Sequence, residues 1–232
     1  MKYIFLVSIL AASYQAMSQE ELPKGSEYFM QTHFKNVEIA SKMLAYDHVA
    51  WVSSDSIKTL SSEELSSYGG QWFCYLDSAG IYHALYGAYD SIYTLTAHYL
   101  VDSTTFAINR TLEPFDTTRA IQYSKAYNLS LSRKKKFLGP DDNLRYNHFI
   151  FRSDSTINVH FIPAFQPNGY MIYGAEQHYT LNSAATEIID TLEYFNEYRG
   201  YNASPGKEIT IAYENMEYTS LGSVLFLMYY ER

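Results

Sequence analysis

The chain has 232 residues, with 17 Lys and Arg against 25 Asp and Glu for a formal net charge of −8, 24 tyrosines and a single cysteine. The acidic balance opposes nonspecific contact with nucleic acid or an anionic membrane surface, so no nucleic-acid partner is expected. One cysteine, Cys74, excludes an internal disulfide framework, and the core must hold by packing.

The N-terminus has one positive charge at Lys2, an apolar run from Tyr3 to Ala12, and small residues at Ala16 and Ser18. This is the layout of a secretory signal peptide, so residues 1–18 are expected to be removed and the mature protein to be secreted or periplasmic. About ten apolar residues cannot span a bilayer core that needs roughly twenty, and no later segment is long enough, so no transmembrane segment is expected after signal removal. No cysteine near the cleavage site offers a lipid attachment point. Residues 19–232 carry no Pro-, Gly- or Ser-rich linker and are expected to form a single α+β domain.

Residues 37–52 place Val37, Ala40, Leu44, Trp51 and Val52 on one apolar stripe with His48, which predicts an amphipathic helix. Ser61-Ser62-Glu63-Glu64 predicts a capping box and a second, short helix, which Gly69-Gly70 would end. Beyond Gly70 the period changes. Segments 71–76, 81–86, 92–101 and 106–112 are aromatic and β-branched, separated by turn compositions, and read as strands. Tyr82, Tyr86, Tyr89 and Tyr93 are helically spaced, but Gly87 and Asp90-Ser91 interrupt that run, so strands are the better reading.

On the strand over 92–101, Tyr93 and Tyr99 would share a face with Leu95 and Ala97, leaving Thr94, Thr96 and His98 on a more polar face toward water or a ligand. Asp116 or Thr117 can start a further helix, with Ala120, Ser124, Tyr127 and Leu131 on one side and Gly139-Pro140 as its stop. The run 133–136 falls in its last turn, where cations meet exposed carbonyls favourably, which accounts for it without a polyanion partner. Strands are then expected over 146–152, 157–163, 169–181, 186–195, 207–213 and 222–230, the last apolar on both faces and so central. The fold class expected is an antiparallel curved sheet of about eight to ten strands, with N-terminal helices and one inserted helix packed against it.

Pairing the first two strands across residues 77–80 sets Leu76 opposite Ile81, Tyr75 opposite Tyr82, and Cys74 opposite His83. A cysteine facing a histidine is a possible nucleophile and base. The same face carries Trp72, Leu76, Ile81 and Leu85, an apolar setting that predicts an inert core thiol. The seven histidines form neither His-x-His nor His-Glu-x-x-His. Glu176 and His178 share one strand face, but two ligands do not make a metal site, so no metal and no cofactor is expected. His48, His83, His98, His148 and His160 lie isolated among apolar or aromatic residues and read as structural. There is no Gly-x-Ser-x-Gly elbow, phosphate loop or dinucleotide fingerprint, and a carboxylate pair for glycoside chemistry cannot be picked from the acids present.

Gly70-Gln71-Trp72 opening a strand meander resembles the Gly-x-Trp start of the lipocalins, which implies a barrel that binds small apolar ligands. The chain departs from that pattern in the helix after residue 113 and the two helices before Gly70. The signal-like N-terminus, the aromatic strands over 147–181 and the closing segment 219–232 also resemble small exported proteins of Gram-negative bacteria, a likeness that implies no activity.

Tyrosine supplies apolar area and a hydroxyl with little entropic cost, which suits both sheet packing and recognition. The candidate binding residues are therefore Tyr82, Tyr86, His98, Glu176 and His178. The function expected is a non-enzymatic protein binding a small ligand or an envelope protein. The rival is a hydrolase acting on glycan or peptide polymers, for which Glu176, His178 or His160 would converge with other acids. A small outer-membrane barrel is disfavoured by the helices and by the missing terminal aromatic residue.

Overall fold

A computed structural model describes residues 26–138, 144–164, 170–193, 198–202 and 219–230. The expected signal peptide, the Gly139-Pro140 stop, the turn at 166–169 and the strand expected over 207–213 lie outside the described residues. The fold is α+β, and no helix among the described residues is long and apolar enough to cross a membrane.

Helix α1 spans Ser26–Ile57, starting well before the apolar stripe that predicted it. Its core face is Ala40, Met43, Tyr46, Val49, Ser53 and Ile57, spaced by three or four. Trp51, expected on that face, is 73% exposed, because two residues at 100° each carry it round from Val49 to the far side. Helix α2, Ser62–Leu65, begins with the predicted capping box: the Ser61 hydroxyl accepts from the Glu64 N–H at 3.2 Å, and the Glu64 carboxylate accepts from the Ser61 N–H at 3.0 Å. Its C-cap is Ser66, and Gly70, with φ +78, instead turns the chain into the first strand.

Strands β1 (Gln71–Leu76), β2 (Ile81–Tyr89), β3 (Tyr93–Asp102) and β4 (Ile108–Arg110) form an antiparallel meander in that order. The β1–β2 register differs by one residue from the sequence expectation. Cys74 faces Ala84, and His83 faces Tyr75. The Asp77 carboxylate accepts from the N–H groups of Ala79 and Ile81, Asp77 N–H donates to the Ile81 carbonyl, and Gly80 takes φ +81, so the hairpin closes at Asp77 with a three-residue loop.

A register shift between Tyr86 and Gly87 also moves Tyr93 to the other face from Tyr99. Tyr93 packs on Phe73 and Phe115, while Tyr99 packs edge-on against Tyr86.

Helix α3 spans Thr117–Leu138, and the Asp116 carboxylate caps it by accepting from the Arg119 N–H at 2.9 Å. A second antiparallel meander follows, from β5 (Tyr146–Arg152), β6 (Thr156–Pro163), β8 (Gln177–Asn182) and β9 (Ile188–Glu193). The segment expected as one strand over 169–181 is two. Gly174 (φ +93) and Ala175 (φ +53) adopt left-handed conformations that break it, and β7 (Tyr170–Gly174) pairs instead with β10 (Tyr198–Asn202) in a separate two-stranded sheet.

The strand expected over 222–230 is helix α4, Leu221–Tyr230. Ser220 starts it by accepting from the Ser223 N–H at 3.2 Å, and a short apolar run suits a buried helix as well as a buried strand. Helix α4 packs on α1 and β7.

There is thus no single curved sheet, and the described strands are not the one closed barrel that the Gly-x-Trp resemblance implies. The two meanders meet where β1 approaches β5, and side chains occupy the β1 edge there. His148 Nε2 lies 2.8 Å from the Trp72 carbonyl and donates to it, while Cys74 N–H donates to the Tyr46 hydroxyl at 3.2 Å. With those edge groups satisfied, no strand ladder continues across the seam.

Candidate binding site

Glu176 and His178 form one buried network with His160. His160 and His178 face each other across β6 and β8, their Nδ1 atoms 2.8 Å apart, and His178 Nε2 lies 2.7 Å from Glu176 Oε2. The same carboxylate accepts from the Gly222 N–H at 2.6 Å and from the Ser220 hydroxyl, and Ser220 continues through Ser223 to the Tyr173 hydroxyl. Glu176 thereby anchors the N-terminal end of α4, where a carboxylate is favoured by the free N–H groups and the helix dipole.

His178 Nε2–H donates to the carboxylate, and the two facing Nδ1 atoms share one proton between them. Burial, and then the neighbouring His178, hold the His160 pKa well below the ordinary imidazole value. The gap beside Glu176 and Gly222 is about 30 Å³, room for a water or two.

His98 belongs to a second histidine pair. Its Nε2 lies 3.0 Å from His83 Nδ1 and its Nδ1 3.3 Å from the Glu113 carbonyl, with Phe115 packed edge-on against the ring. His98 is therefore on a face covered by the chain entering α3. The histidines read as isolated are in these cases partners of one another. Cys74 is buried beside Tyr46 and Tyr82, and burial pushes its thiol pKa well up, the direction of an inert thiol. Among the described residues no group of three or more His, Cys, Asp and Glu is arranged to hold a metal ion.

Tyr82 and Tyr86 are both buried on the α1 face of β2, and each borders a cleft. Tyr86 donates to or accepts from the Ser53 hydroxyl at 2.8 Å and borders a cleft of about 530 Å³ that is also lined by the exposed Trp51 and the half-buried Tyr68. Tyr82 borders a cleft of about 560 Å³ at the end of the β1–β5 seam. Tyr46, Cys74 and Ile150 make its floor, Tyr75 and Tyr123 one wall, and Lys42, Arg119 and Arg152 its charged rim. Neither the Tyr82 nor the Tyr123 hydroxyl has a hydrogen-bond partner among the described residues, and burial pushes both pKa values up to about 12.

Of the five candidates, then, Glu176 and His178 are joined to each other, Tyr82 and Tyr86 stand in two neighbouring clefts, and His98 joins neither group. Sequence reasoning missed Tyr123, Arg119 and Arg152, which come from α3 and β5. One signal was available: Arg119 sits in the first turn of a predicted helix, where the positive end of the dipole disfavours a cation. Comparison of the chain with protein-family models, with curated proteins and with solved structures finds no match.

Proposed function

We propose that this is a non-enzymatic binding protein, exported to the cell envelope or secreted, which holds a small ligand in the cleft between Tyr82 and Tyr123. The observation that carries the reading is a cleft of about 560 Å³ at the meeting of both meanders and two helices, with two tyrosine hydroxyls that have no protein partner among the described residues. That volume lies within the roughly 300–1,000 Å³ of small-molecule sites, and unpaired phenols beside an apolar floor are what such sites offer. Export rests on the charged, apolar and small-residue order of residues 1–18.

A hydrolase built on Glu176, His178 and His160 is less well supported. The carboxylate is already occupied by His178, Gly222 and Ser220, and no other acid joins it among the described residues. Ser220 bonds to the carboxylate rather than to an imidazole, and that carboxylate is already committed to the Gly222 N–H and to His178, so the Ser-His pairing of a serine hydrolase is not formed.

Thermal melts of the purified protein against glycans, peptidoglycan fragments, lipids, organic acids and divalent metals test the reading. A ligand at a hundredfold its dissociation constant adds about 2.7 kcal/mol, a rise of about 5 to 11 °C for a chain this size. The rise should shrink in the Tyr82→Phe, Tyr123→Phe double variant, which removes only two hydroxyls. A rise that survives both substitutions, or none with any class, overturns the cleft as the site. Export is checked by cell fractionation and N-terminal sequencing, which should find a chain starting at Gln19.

A further inference from the structure

The charge around this cleft runs against that of the chain. A protein with net charge −8 lines it with Lys42, Arg119 and Arg152 and only one acid, Asp154. The three cations come from α1, α3 and β5, so no local sequence preference explains their meeting. Their protein partners leave much of their donor capacity unused. Arg152 Nη1 donates to the Gln122 side chain at 2.8 Å, and no carboxylate among the described residues pairs with it.

Arg119 stacks over Tyr75 at 4.5 Å. Its buried Nε makes no hydrogen bond but forms an ion pair with the Asp116 carboxylate at 3.4 Å, which leaves the Nη donors of the fork without a partner among the described residues. Lys42 pairs with Glu38 on an exposed helix turn, a contact of little strength in water. A guanidinium has five N–H donors in a planar fork that matches a carboxylate or phosphate, and these two have most of theirs to spare. The Tyr123 hydroxyl lies within the field of both guanidiniums. Arg119 also stands at the positive end of α3, a position that a bound anion would make favourable.

Resting on the binding reading above, we infer that the ligand is a small organic acid. Its ring or hydrocarbon body lies on the floor of Tyr46, Cys74 and Ile150, and its carboxylate or phosphate lies between Arg119 and Arg152. Tyr82 and Tyr123 then donate to its polar atoms, and Lys42 supplies charge at the mouth. A neutral ligand of the same shape would leave both forks unused.

Calorimetric titration of the purified protein with benzoate, phenylphosphate and benzyl alcohol tests this. One or both acids should bind, benzyl alcohol at least about tenfold more weakly, and the acid affinity should fall as salt rises. Heat from benzoate alone assigns a carboxylate, and heat from phenylphosphate alone a phosphate.

Arg152→Gln, which leaves the melting temperature near that of the wild type because the side chain is exposed, should weaken the acid about tenfold. Arg119→Lys, which keeps the charge and loses the fork, should weaken it less than Arg119→Gln. Benzyl alcohol binding as well as the acids, with the loss confined to the Tyr123→Phe variant, overturns the acid and leaves the cleft standing. Acid binding untouched by Arg152→Gln and Arg119→Gln overturns the placement. No heat from any of the three overturns both the acid and the cleft.

Discussion

Acidification should destabilise this protein well before its carboxylates titrate, and His148 sets the scale. The ring sits at the seam of the two meanders between Trp72 and Tyr127, with centroids 4.9 and 4.7 Å away. Its Nε2–H donates to the Trp72 carbonyl at 2.8 Å. Desolvation holds its pKa down to about 4, with that hydrogen bond acting in the opposite sense, whereas the unfolded chain protonates near the ordinary 6.5. Between those values the unfolded state binds a proton that the native state does not, so stability falls as the pH drops through the window. Above about 6.5 both states are neutral and the effect vanishes.

The loss from His148 alone is about 2 kcal/mol at about pH 5, worth about 4 to 8 °C, and it saturates near 3 kcal/mol below the native pKa. His148 as a residue is only half-buried, so these are upper values. His160, lowered by burial and by His178, and His98, lowered by burial and by His83, add with the same sign. Urea titrations followed by tryptophan fluorescence from about pH 7.5 to about pH 5 give the dependence. His148→Gln keeps a donor for the Trp72 carbonyl and removes the titration, so its slope with pH should be visibly shallower than the wild type. Equal slopes in the two proteins, or a flat wild-type profile over this range, would refute the reasoning.

Gly222→Ala would place its Cβ 2.5 Å from the Glu176 carboxyl carbon, forcing the carboxylate off the start of α4. A loss of about 3 kcal/mol in urea unfolding is expected, as for other broken buried ionic networks, and a near-neutral variant would sink the anchoring role. Tyr86→Phe should cost only about 1 kcal/mol, because Ser53 keeps its bond to the Val49 carbonyl, whereas Tyr86→Ala should cost about 3 to 5 kcal/mol by emptying the core. Denaturation midpoints for the pair check this, and equal losses would contradict it. Cys74 should resist a thiol reagent in the native protein and react promptly in urea, since burial both shields the sulfur and raises its pKa. Rapid native labelling would contradict that burial and show the sulfur to be reachable from the cleft.

Local chemistry made much of the first half of the fold legible. Ser61 and Glu64 specify a capping box between themselves, Asp116 caps the helix that follows it, and the turn compositions between residues 76 and 92 divide three strands. What failed depended on side chains outside the pattern being read. The β1–β2 register follows from which backbone N–H groups the Asp77 carboxylate accepts, and one residue of difference was enough to take His83 away from Cys74. Tyr93 changed face through the shift at Gly87, where any Cβ would meet the Tyr93 ring at 2.9 Å. The run Leu221–Tyr230 carries no periodicity to separate helix from strand. Its state is set by Ser220 and by Glu176, 46 residues before Gly222.

The tyrosines divide by the fate of their hydroxyls rather than by their spacing. Tyr46 accepts from the Cys74 N–H, Tyr75 accepts from the Asp116 N–H, Tyr86 bonds Ser53, and Tyr179 donates to Gln177. Each of these phenols ties two elements together or completes a buried polar pair, which is a packing role. Tyr82 and Tyr123 have equally buried rings, yet their hydroxyls find no partner among the described residues and both border the cationic cleft. Their hydroxyl oxygens are not sealed from solvent, unlike that of Tyr93, so each phenol has an apolar body in the core and a polar tip open to the cleft. No periodicity in the sequence could separate Tyr82 from Tyr86, four residues apart on one face of one strand. The difference lies in what α1 presents to each. Ser53 meets the hydroxyl of Tyr86, while at Tyr82 the helix contributes Tyr46 to the cleft floor and Lys42 to its rim, and no partner for the hydroxyl.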